Sequence, residues 1–239
     1  MGSKARIAKH ILPIILKDRK DGQWYVEPFV GGANLIDKVD GDRIGADNNG
    51  YLICLLNALS DGWTPPKEVT KDFFFEVKAN KDKYPKELVA YLGYQLTFGC
   101  EWWGSFRRDN TGERKYDAES YNNVMKQRSK LKGIKFIHSD YRDLDIPDNS
   151  IIYCDPPYKG VRKYVGNEPL DSEFFYQWCR DKVKQGHKVF ISEYNMPSDF
   201  ICVWKKEIAS NGNNSIKAGQ GIKAIEKLFM HNSQVDKDA

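Results

Sequence analysis

The sequence predicts an α/β protein, a Rossmann-like parallel sheet interrupted by a mostly helical insertion. Three observations carry that prediction. Short apolar runs alternate with helix-patterned segments over residues 1–60, as parallel βαβ units require. Helical periodicity without strand signals then occupies 61–134, and strand-like runs return from residue 135 onward.

Taken in order, Ile7, Ile11, Leu12 and Ile15 recur at helical spacing within 5–17, where Pro13 is expected to kink or end the helix. Residues 23–27 read as a strand stopped by Pro28 and a glycine pair. A helix at 34–39, a strand at 43–46 and a helix at 49–59 continue the alternation. The turn cluster Asp61-Gly62-Trp63-Thr64-Pro65-Pro66 breaks it. Helical patterning follows through 86–98, then a polar loop with Asn110-Thr111-Gly112, then a helix at 118–131. Strands return at 135–138, 150–154 and 188–192, with a helix at 172–184 between the last two. Residues 201–208 and 224–230 are expected to pair antiparallel across a Gly/Asn-rich loop. Segments 1–60 and 135–239 thus form one discontinuous domain, and 61–134 is an insertion.

Hydrophobic residues at 41% and aromatics at 13% supply a packed core and exclude a disordered chain. The longest strongly apolar stretch, 11–16, contains Pro13, so no membrane span and no secretory signal are expected. Five scattered cysteines without a C-x-x-C pair fit reduced thiols in a cytoplasm, and four separated histidines predict no metal site. A cytoplasmic monomer or weak dimer is expected. The net charge is +4, unevenly spread: residues 105–135 hold nine basic and four acidic side chains. That stretch reads either as a polyanion-facing surface or as a solvated helix face.

Asp155-Pro156-Pro157-Tyr158 is the sharpest motif. It follows the apolar run Ile151-Ile152-Tyr153 and falls at a strand's carboxyl end, where open α/β sheets build their sites. The prolines cannot continue a ladder, so the turn presents a carboxylate, outward carbonyls and a ring together. An aromatic amine needs that set. Its lone pair is delocalised into the ring until two acceptors, here Asp155 and the Pro156 carbonyl, take its N–H bonds and let the nitrogen pyramidalise. Tyr158 would stack on the base. As an isolated tetrapeptide the motif also fits a plain Pro-Pro loop.

The second feature is Glu27-Pro28-Phe29-Val30-Gly31-Gly32-Ala33-Asn34, a strand end, an acid, a glycine turn and a helix start. The acid argues against a phosphate there and for a ligand carrying a cationic group. Asp47, with Asn48 beside it, ends the next strand, where an acid either reaches ribose hydroxyls or caps a helix. Asp140 and Tyr141 follow the third strand and serve either the ligand or a turn.

Together these motifs resemble the Dam-type DNA adenine N6-methyltransferases, phage-encoded members especially. The resemblance extends to Gly2-Ser3-Lys4-Ala5-Arg6 and to Phe190-Ile191-Ser192-Glu193-Tyr194. It implies a methyltransferase sheet that binds S-adenosylmethionine through Lys4, Glu27, Phe29, Gly31, Asp47 and Asp155, with Pro28, Gly32, Asn34 and Asn48 lining the same turns. It also implies that Asp155 to Tyr158 hold a flipped adenine of double-stranded DNA. Aspartate before Pro-Pro-Tyr is typical of the adenine-specific DNA enzymes, whereas cytosine N4 enzymes usually have serine there, and RNA and protein-glutamine relatives usually have asparagine. A methyltransferase of RNA adenine or DNA cytosine, or an inactive DNA-binding relative, is the alternative. The chain departs from the family at Ala33, where a second glycine is usual, and the position four before Lys4, where the family has an aromatic residue, falls ahead of residue 1.

The resemblance makes 61–134 the target-recognition module. Within it Trp102, Arg107 and Arg108 lie in a glycine-aromatic-basic stretch, and Lys126 and Lys130 lie in the following helix. Cations there meet phosphates or a guanine edge, and an aromatic fills the gap left by an extruded base. One or both of Trp102 and Trp103 equally fits the core. Lys159, Arg162 and Lys163, just after Tyr158, are candidates to clamp the flipped strand, with solvated loop lysines as the alternative.

Overall fold

The computed structural model describes residues 4–107, 114–157, 170–209 and 223–235. Its strands are β1 Tyr25–Glu27, β2 Arg43–Asp47, β3 Ile134–His138, β4 Ile151–Cys154, β5 Lys188–Ser192, β6 Phe200–Ala209 and β7 Lys223–His231. They form one sheet in the order β3-β2-β1-β4-β5-β7-β6. The first five are parallel, and β7 runs antiparallel between β5 and β6. The helices are α1 Ala8–Ile15, α2 Gly50–Ser60, α3 Lys71–Ala79, α4 Lys86–Gln95, α5 Tyr116–Leu131 and α6 Ser172–Lys184. This is the Rossmann-like sheet predicted, with one antiparallel strand intercalated. The chain leaves β1 for β2 and β3 and returns on the other side at β4. A crevice therefore opens at the carboxyl ends of β1 and β4.

Successive side chains of a strand point to opposite faces. Tyr25, Tyr153, Phe190 and Leu228 enter one face, against α1, α2 and α4 through Ile11, Leu56 and Leu92. Val26, Ile152, Ile191 and Phe229 enter the other, against α6 through Phe175, Trp178 and Cys179. The sheet is thus buried on both sides, which is why its strands read as near-continuous apolar runs.

The described residues of 61–134 share the core of the sheet domain. Phe74, Val89, Trp103, Val124 and Leu131 lie in the same apolar cluster as Ile11 and Tyr153. The expected helix at 34–39 is only a single 3-10 turn, Ile36–Lys38, because the chain spends Gly31 and Ala33 in left-handed conformations before it can start one. Pro13 sits inside α1 without breaking it, and the helix ends two residues later. Among the described residues no helix is long and apolar enough to cross a membrane, and no three His, Cys, Asp or Glu side chains are grouped to hold a metal ion.

Candidate active site

The turn after β1 is built on two left-handed residues, Gly31 at φ 49° and Ala33 at φ 55°. Gly31 carries this at no steric cost, whereas the buried Ala33 bears about 1 kcal/mol for its Cβ. Gly31 N–H donates to Asp47 Oδ2 at 3.1 Å and Asn49 N–H to Oδ1 at 3.0 Å. Burial raises the Asp47 pKa, and those two backbone donors moderate the rise. Gln127 of α5 braces the turn from outside, donating to the carbonyls of Gly32 at 2.9 Å and Ala33 at 3.2 Å. A Cβ on Gly32 would come within 2.8 Å of Asn34 Nδ2, so Asn34 folds back over the turn.

Around this turn, Pro28 is buried and Phe29 rests on Tyr141 and Phe175 with ring centroids 5.1 and 5.7 Å apart. Tyr141 is itself buried in that cluster. Both Asp140 carboxylate oxygens are taken by Arg142, at 2.7 and 3.0 Å, which holds the Asp140 pKa below the usual value. Asn48 is exposed, with its carbonyl 3.0 Å from His138 Nε2.

The second half of the site follows from strand alternation. Two residues beyond the core tyrosines Tyr25 and Tyr153, the same face carries Glu27 at the end of β1 and Asp155 just after β4. Tyr25 O–H donates to the buried Glu27 Oε1 at 2.9 Å. Burial pushes the Glu27 pKa well above the carboxylate range, the Tyr25 hydrogen bond opposes that shift, and the nearby Asp155 adds to it. Tyr153 and Ser192 hydroxyls meet at 2.7 Å between β4 and β5. Into this acidic floor projects Lys4, from a 3-10 turn ahead of α1. Its ammonium lies 3.2 Å from Asp155 Oδ1 and 3.1 Å from Glu226 Oε2 of β7. Burial works against the Lys4 charge, but the two carboxylates outweigh it and raise the pKa. Pro156 is buried and Pro157 exposed, so the turn after Asp155 faces outward.

A glycine turn latched to an acid at the end of β2, beside a carboxylate-proline turn at the end of β4, is an arrangement suited to bringing a cationic cofactor up to an amine. The chain matches, over residues 1–229, the family of D12 class N6 adenine-specific DNA methyltransferases. It belongs to that family. The enzyme therefore methylates adenine N6 in DNA and requires a methyl donor. No curated protein matches it.

The candidate DNA-contacting residues of the methyltransferase separate. Trp102 is packed, not projecting: its ring lies 5.0 Å from that of Tyr51 and 4.7 Å from that of Tyr94. Trp103 is buried, and Gly93 of α4 admits both indoles, since a Cβ there would come within 2.7 Å of either. The exposed aromatic of this segment is Phe98, 70% accessible, beside the left-handed Gly99 and Cys100. Arg107 holds its guanidinium 4.3 Å over the Tyr116 ring, and its N–H donates to Leu96 O. The hairpin closed by the antiparallel Thr97–Phe106 bridge is on the site side, because Asn49 Nδ2, just after β2, donates to the Tyr94 hydroxyl oxygen of α4.

The far end of α5 is elsewhere. Arg128 donates to Gly62 O at 3.0 Å and Thr64 Oγ1 at 2.8 Å, past the end of α2, and Arg43, the first residue of β2, donates to Lys130 O. Lys130 therefore lies at the amino edge of the sheet, away from the site. Lys126 is exposed one residue before Gln127. Arg108, Tyr158, Lys159, Arg162 and Lys163 lie outside the described residues.

Three parts of the site escaped the sequence reading: Glu226, the Tyr153–Ser192 pair and the Tyr25–Glu27 bond. For the first, an acid within the apolar-patterned strand 223–231 was the available signal.

Proposed function

We propose that this methyltransferase takes its methyl group from S-adenosylmethionine and transfers it to an adenine flipped out of double-stranded DNA. The observation that carries the reading is the juxtaposition, at the β1/β4 crevice, of the Gly31–Asp47 turn, the buried Glu27 and Asp155. The residues fit that cofactor. A buried acid with a raised pKa favours a cationic ligand, and Asp47 offers carboxylate lone pairs at the position suited to ribose hydroxyls. When bound, S-adenosylmethionine supplies a methyl group on a positively charged sulfur.

The chain's own residues then act on the acceptor. Asp155 and the Pro156 carbonyl take the two N–H bonds of the adenine amine and aim its lone pair. The Gly31–Asp47 turn holds the cofactor so that its methyl group passes to that lone pair and the departing bonding pair stays on sulfur. The methylated nitrogen is then cationic; the Asp155 carboxylate beside it stabilises that charge, and the proton the nitrogen loses passes to solvent water. Phe98 is our candidate, in place of Trp102, for the aromatic that fills the gap left by the base. Residues 61–134 are read as the target-recognition module, and a DNA substrate sets the work in the cytoplasm. Transfer of labelled methyl from S-adenosylmethionine to unmethylated plasmid DNA tests the reading. Label appearing as N6-methyladenine is the expected result, and no label in adenine overturns it.

A further inference from the structure

We infer that Glu226 is a positioning residue for methyl transfer: it holds the Lys4 ammonium so that Asp155 keeps its negative character toward the adenine amine. The inference rests on the reading that Asp155 accepts that amine, and it goes beyond it by giving β7 a part in the reaction.

The geometry is that of one cation between two carboxylates. Lys4 Nζ lies 3.2 Å from Asp155 Oδ1 and 3.1 Å from Glu226 Oε2, and the side chains of Lys4 and Glu226 are 10% and 12% exposed. Lys4 and Glu226 are 222 positions apart in sequence, so only the fold brings them together. The register explains how. Ser192, the last residue of β5, pairs with Leu228, so β7 overshoots β5 at the carboxyl edge. Leu228 is buried on the face shared with Tyr153, and strand alternation puts Glu226 on that face two residues further out, just beyond the level of Asp155, with the Lys4 ammonium between the two carboxylates.

The charges decide the consequence. As the amine attacks, its nitrogen turns positive, and a carboxylate beside it stabilises the transition state. An ammonium shared with that carboxylate alone would cancel the effect, leaving the pair neutral and Asp155 a weaker acceptor. With Glu226 the three groups sum to one negative charge, and the ammonium is drawn from both sides at nearly equal distance. Glu226 thus acts through Lys4 and need not touch the base. Partly buried ion pairs are not reliable sources of stability, which leaves room for a role in the reaction.

The test is single-turnover methylation of plasmid DNA by Glu226→Gln, Lys4→Met and the double variant, with Glu226→Asp as the charge-preserving control. Glu226→Gln is expected to slow the methyl-transfer step about ten- to a hundredfold, the scale of a misplaced reacting group. Affinities for S-adenosylmethionine and DNA should stay near wild type, and Glu226→Asp should recover most of the rate. With Lys4→Met already present, Glu226→Gln should add no further loss, because its route to Asp155 is gone. A wild-type rate for Glu226→Gln, or losses that multiply in the double variant, overturns the proposal. If Glu226→Gln melts below the assay temperature, Glu226→Met decides in both backgrounds: it must be slower than wild type with Lys4 present and neutral with Lys4→Met. Asp155→Ala separates the two failures. An active Asp155→Ala sinks the reading of Asp155 itself, whereas an inactive one with multiplying Lys4 and Glu226 losses sinks only the part given to Glu226.

Discussion

Gly31 donates its backbone N–H to Asp47 Oδ2 at 3.1 Å, so the turn after β1 is latched to the carboxylate that ends β2. The other oxygen, Oδ1, takes the N–H of Asn49, and Asn49 in turn caps α2 by accepting from Leu52 N–H. Sequence left Asp47 either a ligand group or a helix cap. The cap is Asn49, and Asp47 instead fixes the turn that a cofactor would lie against.

Asp47→Ala is therefore expected to weaken S-adenosylmethionine binding by about 1–3 kcal/mol, the range for a lost charge-assisted hydrogen bond with an orphaned donor. Asp47→Asn keeps an acceptor for one backbone N–H and should lose less. Titration calorimetry reads both, and an unchanged affinity for Asp47→Ala would remove Asp47 from the cofactor site.

Glu27 gives the pH dependence. Its folded pKa lies well above the unfolded value because the carboxyl is buried, so the folded state holds a proton that the unfolded state has released. Between the ordinary glutamate value, about 4.3, and the raised folded value, stability must fall as pH rises. Glu27→Gln keeps an acceptor for the Tyr25 hydroxyl without a titrating group and should flatten that slope in urea melts across pH. A cationic cofactor favours the ionised form, so binding should release a proton and tighten with pH over the same window. Calorimetry in two buffers of different ionisation heat counts that proton, and a buffer-independent heat would exclude Glu27 from contact with the cation.

Asp155→Ala should lower single-turnover methylation by about a hundred- to a thousandfold, the usual loss for one preorganised transition-state contact. The fold should survive, because Lys4 keeps Glu226 as a partner at 3.1 Å. Melting temperature and DNA affinity near wild type, beside a collapsed rate, is the expected pattern. Comparable rates for variant and wild type would contradict the assignment.

How far the sequence could be read depended on whether the information was local. The helix at 172–184 and the strand at 188–192 were read at their observed bounds, since Asp171 caps the helix and Gly186 ends it with φ 91°. The order of β7 between β5 and β6 was not legible, because pairing partners are chosen by the assembled sheet and not by the strand's own pattern. The 34–39 segment misled for a local reason of its own: apolar spacing suggested a helix, but the positive φ of Ala33 uses up the residues that would start it. Lys4 stands out by resemblance alone, since its 3.2 Å contact with Asp155 joins residues that are far apart in sequence. Glu226 carries no motif, and its importance appears only once the overshoot of β7 past Ser192 is known.

The basic stretch at 105–135 makes the last prediction, because α5 carries it from one edge of the sheet to the other. Arg107 and Arg114 share the Tyr116 ring near the start of α5, with Arg107 in the hairpin on the site side. Arg128 and Lys130 lie at the opposite edge, near the end of α2 and the beginning of β2. A duplex seated over the carboxyl edge meets the first pair and not the second. Lys130→Ala should therefore leave DNA affinity and its salt dependence unchanged, although composition alone suggested a phosphate contact. Arg128→Ala should cost about 1 kcal/mol of stability, since its bonds to Gly62 and Thr64 are partly solvated, with no effect on DNA. Arg107→Ala should weaken binding. If the arginine reads a base edge, the loss is about 1–3 kcal/mol on the target and specificity relaxes, whereas a phosphate contact would weaken all sequences alike and flatten the log-affinity against log-salt slope by about 1. Salt titrations on target and scrambled duplexes separate these outcomes. A flattened slope for Lys130→Ala would mean that DNA reaches the amino edge of the sheet and does not dock over the carboxyl edge alone.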